Sequence, residues 1–336
     1  MNIQPIDKKA DMETQGVLAR IAYGFTEWAE KWFPDAFVFV ILTVIVVALA
    51  NLATGAAPLA IAKGFGDGFW TLIPFTMQMA MVAITGYVVA TSPPCARLID
   101  WLAAIPKTGP GAIAWVAFVS MAASYFNWAF SLVVGALLVR ALARRGELKM
   151  DYRAAGAAAY LGLGATWALG LSSSSAMLQA NPASLPKSIS DITGVIPLSQ
   201  TIFLWQSVVM GLVIMVVSVV IAYFSAPRGA HVKTAGDMGC DVALETVAGE
   251  KQTRPGEWFE FTPILPILVV LLAIGFCWSE FSTKDPLLVI SNLNTYNFIF
   301  LMFGLLLLGG TERRKSLTTE FGGNFDVANF SAFSTR

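Results

Sequence analysis

Asn127 is the side chain best placed to do chemistry. It sits with Ser124 in the stretch Ala123 to Trp128, at the centre of a run, Gly111 to Leu142, that is apolar and uncharged until Arg140. Four consecutive serines, Ser172 to Ser175, close a second apolar stretch that carries Gly162, Gly164 and Gly170. Amides, hydroxyls and the exposed N–H groups of helix starts together favour a carboxylate or another small anion. Each feature has a plainer alternative. A buried amide between membrane helices often only glues them together, worth roughly 1 kcal/mol. A serine run is equally a polar loop at the membrane boundary. On sequence alone both readings of Asn127, Ser124 and Ser172, Ser173, Ser174 and Ser175 stay open.

Other conspicuous residues read more simply. Gln78 fits a helix–helix hydrogen bond. The stretch Gly64 to Trp70 lacks the Lys-Ser/Thr of a nucleotide loop and reads as a turn with an aromatic anchor. Trp128, Trp167 and Trp205 read as packing or interface residues. The only histidine, His231, lies in a polar loop, and no Asp or Glu sits in mid-span, which excludes the usual intramembrane proton relay. A nucleophile–base pair or a His/Asp metal site is likewise missing from the spans, so no enzyme and no cofactor is expected. Cys95, Cys240 and Cys277 share no metal-type spacing and form no disulfide framework.

The elements that must position these residues are membrane helices. Charged residues make up 13% of the chain and mean hydropathy is +0.65, whereas soluble domains carry about 25% charged residues. The 22 basic and 22 acidic side chains balance and give no case for nucleic acid. Residues 17–33 have an apolar face with Trp28 and Trp32 and read as a helix on the membrane surface. Spans are expected at about 36–52, 70–91, 154–178, 201–224, 262–279 and 293–310, with an interfacial helix at 96–105.

The Gly111–Leu142 run is too long for one crossing of roughly 20 residues and too short for two comfortable ones. Arg97 and Lys107 precede it, and Arg144, Arg145 and Lys149 follow it, so it is expected to dip in and return by the same face. Non-helical backbone at that depth is tolerated only against protein or an aqueous cavity, and transporters build midplane sites from such elements. Parity also allows two short crossings. Lys and Arg gather in the N-terminal stretch and in the loops at 143–153 and 225–258, which places those segments in the cytoplasm.

Several motifs resemble those of a known family. Trp32-Phe33-Pro34-Asp35, Gly66 to Trp70, Met77-Gln78-Met79 with Thr85-Gly86, Asn127-Trp128 followed by Leu132 to Ala136, and Gly194 to Pro197 resemble the bacterial short-chain fatty acid transporters of the AtoE type. The resemblance runs from about 18 to 310. It implies an all-α polytopic inner-membrane carrier of monocarboxylates such as acetoacetate or butyrate. It also implies kinship with the ion-transporter superfamily, whose inverted repeats each hold a re-entrant hairpin and a broken helix. Carried over, Asn127 and the serines 172–175 line the first half-site. Coupling to Na⁺ or H⁺, or simple exchange, does not carry over. Superfamily relatives suggest a homodimer by analogy only.

The expected organisation is a cytoplasmic N-terminus (1–35), a first transmembrane repeat (36–224), a cytoplasmic loop (225–258), the start of a second repeat (259–310) and an aberrant polar tail (311–336). From Thr311 onward the chain loses the family's pattern, including a second hairpin, and a frameshift or premature stop is the leading explanation. The reading is therefore a secondary transporter of short-chain fatty acids working by alternating access, inactive if its second half is needed. The rivals are a non-transporting scaffold or degenerate remnant and a carrier of another anion. A dicarboxylate carrier would be expected to bring Arg or Lys into the spans, and none is seen before Arg140.

Overall fold

A computed structural model describes residues 24–25, 28–29, 31–71, 73–182, 185–240, 242 and 264–308. Most of the expected surface helix at 17–33, much of the 225–258 loop and the whole 311–336 tail lie outside the described residues. Everything regular among the described residues is helical: α1 (Ala36–Ala53), α2 (Pro58–Thr71), α3 (Ile73–Ala90), α4 (Pro93–Ala104), α5 (Gly109–Ser124), α6 (Trp128–Ala143), α7 (Tyr152–Ala159), α8 (Ser174–Ala180), α9 (Lys187–Thr193), α10 (Trp205–Ser225), α11 (Ile264–Thr283), α12 (Pro286–Ser291) and α13 (Leu293–Leu308). The stretches Pro58–Ala90, Tyr152–Ala180, Trp205–Ser225 and Pro266–Thr283 are long and apolar enough to cross a membrane. The chain is an all-α polytopic membrane protein. One expectation fails: Gly64 to Trp70 is not a turn but lies within α2, because apolar neighbours on both sides carry the helix through three glycines.

The core is the α5–α6 hairpin. Ile113, Met121, Leu138 and Leu142 on its two arms are fully buried. Small residues let the neighbours approach: Ala155, Ala158 and Ala159 of α7 join Ala112 and Ala117 of α5 in one cluster with Ile99 and Ala103 of α4 and Ala222 of α10. Close approach of small residues is the usual packing of membrane helices, where dispersion replaces the hydrophobic effect. By contrast, Phe37, Val40, Leu49, Val216 and Phe224 on α1 and α10 remain exposed, as side chains facing hydrocarbon do.

Both ends of the hairpin lie together. Thr108 caps α5 by accepting from the Gly111 N–H at 3.2 Å. Arg145, just past α6, donates to the carbonyls of Ala103 at 2.7 Å and Pro106 at 3.0 Å, and pairs with Glu147. The hairpin thus leaves where it entered, with bounds 109–143 rather than 111–142.

A second anchor holds the start of the broken helix. Asp151 caps α7, accepting from the Ala154 N–H at 3.0 Å, from Arg153 at 2.8 Å and from the Lys233 N–H at 2.9 Å. The Tyr152 N–H donates back to the Lys233 carbonyl at 2.9 Å. Burial pushes the Asp151 carboxyl up, but the Arg153 guanidinium and the two N–H donors outweigh it and hold it below its usual range. A depressed folded-state pKa stabilises above the ordinary value of about 3.9, and that stability is lost as pH falls through the lowered value. Asp151→Asn should therefore lower the Tm in detergent at pH 7, and the gap to the parent should close as the pH is taken below about 4. A gap unchanged down to pH 3 would show that the carboxylate charge does not matter here.

Candidate functional site

Three segments converge at the tip of the hairpin: the turn Tyr125 to Asn127, the break in the helix that starts with α7, and the first turn of α13. The break has identifiable causes. After α7 the chain makes a π turn at Gly162–Thr166 and a single 3-10 turn at Trp167–Leu169, then runs extended through Gly170 before α8. Such departures from the α-helical bonding pattern leave backbone groups without their usual partners. Hairpin serines supply them: Ser120 Oγ accepts from the Gly162 N–H at 3.1 Å and donates to the Ala159 carbonyl at 2.5 Å. Ser131 Oγ donates to the Ser120 carbonyl at 2.7 Å. Ser124 Oγ donates to the Met121 carbonyl at 2.8 Å and lies 2.7 Å from Thr166 Oγ1. At the tip itself the Leu171 N–H donates to the Tyr125 carbonyl at 2.8 Å.

Asn127 is fully buried and ends the turn in extended conformation as the N-cap of α6. Its Oδ1 accepts from the Ala129 and Phe130 N–H groups, both at 2.9 Å, and its Nδ2 donates to the Val82 carbonyl of α3 at 3.2 Å. The remaining N–H at this helix start, that of Trp128, donates to Ser172 Oγ at 2.9 Å. A helix start ordinarily leaves several N–H groups free. Here side chains fill them, so α6 presents no bare donor to an anion.

α3 can lie this close only because residue 86 is glycine. A Cβ on Gly86 would stand 2.6 Å from Asn127 Oδ1 and 2.7 Å from the Phe130 nitrogen.

The structure brings Ser124, Asn127, Ser172 and Ser173 together as fully buried residues. Ser173 caps α8, accepting from the Ala176 N–H at 3.4 Å. Ser174 is half-buried and Ser175 is exposed, so the four serines do not act as one group. Gln78 is a helix–helix contact as its position suggested. Its Nε2 donates to Asn294 Oδ1 and its carbonyl accepts from Asn297 Nδ2, both at 2.8 Å. Asn297 Oδ1 is buried without a partner.

Sequence reasoning missed Ser120, Ser131, Thr166 and Tyr296. Tyr296 is the most consequential, since its hydroxyl donates to the Phe126 carbonyl at 2.5 Å and so ties α13 to the turn of the hairpin. The signal was present: Asn292, Asn294, Thr295 and Asn297 crowd the opening of an otherwise apolar span.

A family model described as "Short chain fatty acid transporter" matches residues 17–311. A protein of Escherichia coli K12 named "Putative short-chain fatty acid transporter" is 32% identical over 296 residues, covering 87% of this chain and 65% of the relative. A protein of the same name from Haemophilus influenzae Rd is 31% identical over 304 residues, covering 87% and 66%. The chain thus spans just under two thirds of the length of the curated relatives it matches. No solved structure matches it.

Proposed function

This chain belongs to the short chain fatty acid transporter family, and on that premise we propose that it carries short-chain monocarboxylates, such as acetoacetate and butyrate, across a bacterial inner membrane by alternating access. The observation that carries the reading is a buried polar centre without charge, built from Ser124, Asn127, Thr166, Ser172 and Tyr296 at the tip of a hairpin that returns to its own starting end. Irregular backbone set in apolar helices is how transporters make midplane sites. Hydrogen-bonding groups without a cation suit one carboxyl group on a short alkyl tail better than a dicarboxylate, whose second charge would call for Arg or Lys.

In this reading the hairpin is re-entrant and the N-terminus, the 143–153 segment and the 225–258 loop are cytoplasmic. A homodimer, and coupling to Na⁺ or H⁺ or simple exchange, are compatible with this reading. The three internal hydrogen bonds of the Asn127 side chain favour a second reading, a packed structural centre in a protein that does not transport. Uptake separates the two. Labelled butyrate should enter cells that make this chain continued, after residue 308, by the C-terminal part of the Escherichia coli relative. Entry should saturate, and excess acetoacetate but not succinate should compete. No uptake above empty cells would remove the substrate assignment.

A further inference from the structure

Among the described residues, one buried side-chain oxygen lacks a hydrogen-bond partner, Oδ1 of Asn297. Asn297 lies in the second turn of α13 and is 5% exposed. Its Nδ2 donates to the Gln78 carbonyl of α3 at 2.8 Å, and that bond fixes which way the amide points. Turned over, Oδ1 would face the carbonyl with no proton between them.

Gln78 and Val82 are one turn apart on α3, so their carbonyls stand in one row about 5.4 Å apart. Asn297 holds the first and Asn127 the second, at 3.2 Å. The neighbour of Asn297, Tyr296, donates to the carbonyl of Phe126, the neighbour of Asn127. The two amides therefore grip α3 one turn apart, one from α13 and one from the tip of the hairpin. They differ in one respect. Asn127 Oδ1 accepts from the Ala129 and Phe130 N–H groups, whereas Asn297 Oδ1 accepts from nothing. A buried acceptor left without a donor is costly and rare, so one beside a polar centre marks the place of a donor on the ligand.

That donor is uncharged. α3, α12 and α13 carry no Asp, Glu, Lys, Arg or His. On α11 the only charge is Glu280, which pairs with Lys284 at 2.7 Å. Asp285 caps α12, accepting from the Leu287 N–H at 2.8 Å. Arg97 and Asp100 belong to α4, which starts beyond the far end of α3, twelve residues and roughly 18 Å from Gln78. Both nearer carboxylates are thus engaged, and an ammonium group or metal ion would have none left to balance it. A hydroxyl needs only the acceptor. Among short monocarboxylates, a hydroxyl on the alkyl chain supplies that donor, while the methylenes of butyrate and the ketone of acetoacetate do not.

The α3–α13 contact can part at this end. Here it is made by bonds from Gln78 to Asn294 and Asn297, which water or ligand can replace. Farther on, Gly304 sits tightly against Val88, where a Cβ would stand 2.8 Å from Cγ1.

We infer that Asn297 Oδ1 accepts the hydroxyl of a hydroxylated short-chain monocarboxylate and makes that class preferred over the unsubstituted acids. This rests on the carrier reading above and narrows its substrate.

The test measures how well unlabelled acids displace labelled butyrate from the purified chain. 3-Hydroxybutyrate and 3-methylbutyrate are nearly the same shape, but only the first carries a donor. In the parent, the better-bound enantiomer of 3-hydroxybutyrate should displace butyrate at about a tenfold lower concentration than 3-methylbutyrate, the equivalent of one net hydrogen bond. Asn297→Leu puts carbon in place of the acceptor, and the order should reverse, with 3-methylbutyrate about fourfold ahead. Asn297→Met, whose side chain adapts to irregular gaps, is the second variant and should likewise lose the preference. A residue that only packed α13 on α3 would weaken all three acids together and leave their ratios alone.

Equal displacement by the two acids in the parent would overturn this inference and leave the carrier reading standing, with water as the partner of Asn297 Oδ1. So would a preference for 3-hydroxybutyrate that survives in either variant. Labelled butyrate that never binds the parent would remove the carrier reading, and the inference with it.

Discussion

Asn127→Ala should destabilise the protein by about 2–4 kcal/mol, the largest loss expected from truncating a single polar side chain here. The alanine removes the cap from two N–H groups of α6 and the donor from the Val82 carbonyl, all inside a site that water does not reach. A lost cap costs about 1 kcal/mol, and each buried group left without a partner adds roughly 1–3 kcal/mol. Hydrogen bonds between membrane helices measure at the low end of such ranges, because the unfolded chain in lipid finds partners too, which is why the sum is set below the simple total. Asp in place of Asn separates the components. It caps both N–H groups but gives nothing to Val82 and buries a charge among uncharged neighbours, so it should not rescue. Ser restores part of the cap and should lie between Ala and the parent. Thermal unfolding in detergent orders the four proteins, and an alanine variant as stable as the parent would deny Asn127 its role as the keystone of the tip.

Much of the fold was legible because membrane helices announce themselves by length and apolarity. The spans expected near 36–52, 262–279 and 293–310 correspond to α1, α11 and α13, and Asp35 caps α1 by accepting from the Phe37 N–H at 2.8 Å. The hairpin followed from a length argument plus basic residues at both ends. Its turn at Asn127 followed from the placement of a short polar side chain where a helix must restart. The helical state of Gly64 to Trp70 was not legible, because glycine was weighed by its intrinsic propensity and the flanking apolar residues overrode it.

The site was only half legible for a different reason. A cap is local, so Asn127 and Ser173 can be suspected from their own neighbours. The contacts that close the centre join residues far apart in the chain: Ser120 with Gly162, Ser124 with Thr166, Ser172 with Trp128 and Tyr296 with Phe126. Spacing carries no information about such pairs. The same limit explains why helix starts looked available to an anion. Whether a start is bare depends on which side chain arrives from elsewhere, and at α6 Ser172 arrives from the break.

Gly170→Ala should be severely damaging, and its reason is approach rather than conformation. Gly170 has φ −97° and ψ 171°, which any residue adopts. A Cβ there would stand 2.5 Å from the Ser124 carbonyl oxygen and 2.8 Å from the Tyr125 Cα. Both obstacles are backbone, so no rotamer change relieves them. The tip and the break would have to separate, which would stretch the Leu171 to Tyr125 hydrogen bond and draw Ser172 off the Trp128 N–H. Overpacking of this kind costs about 1–3 kcal/mol before any bond is lost, and the two strained bonds add roughly 1 kcal/mol each. Gly164→Ala is the matched control. It lies in the same irregular stretch, yet a Cβ there meets nothing within 4 Å, so its Tm should stay within a few degrees of the parent while Gly170→Ala loses most of its folded yield. Equal behaviour of the two variants would mean that the tip and the break are not in contact, and with that contact the polar centre itself would disappear.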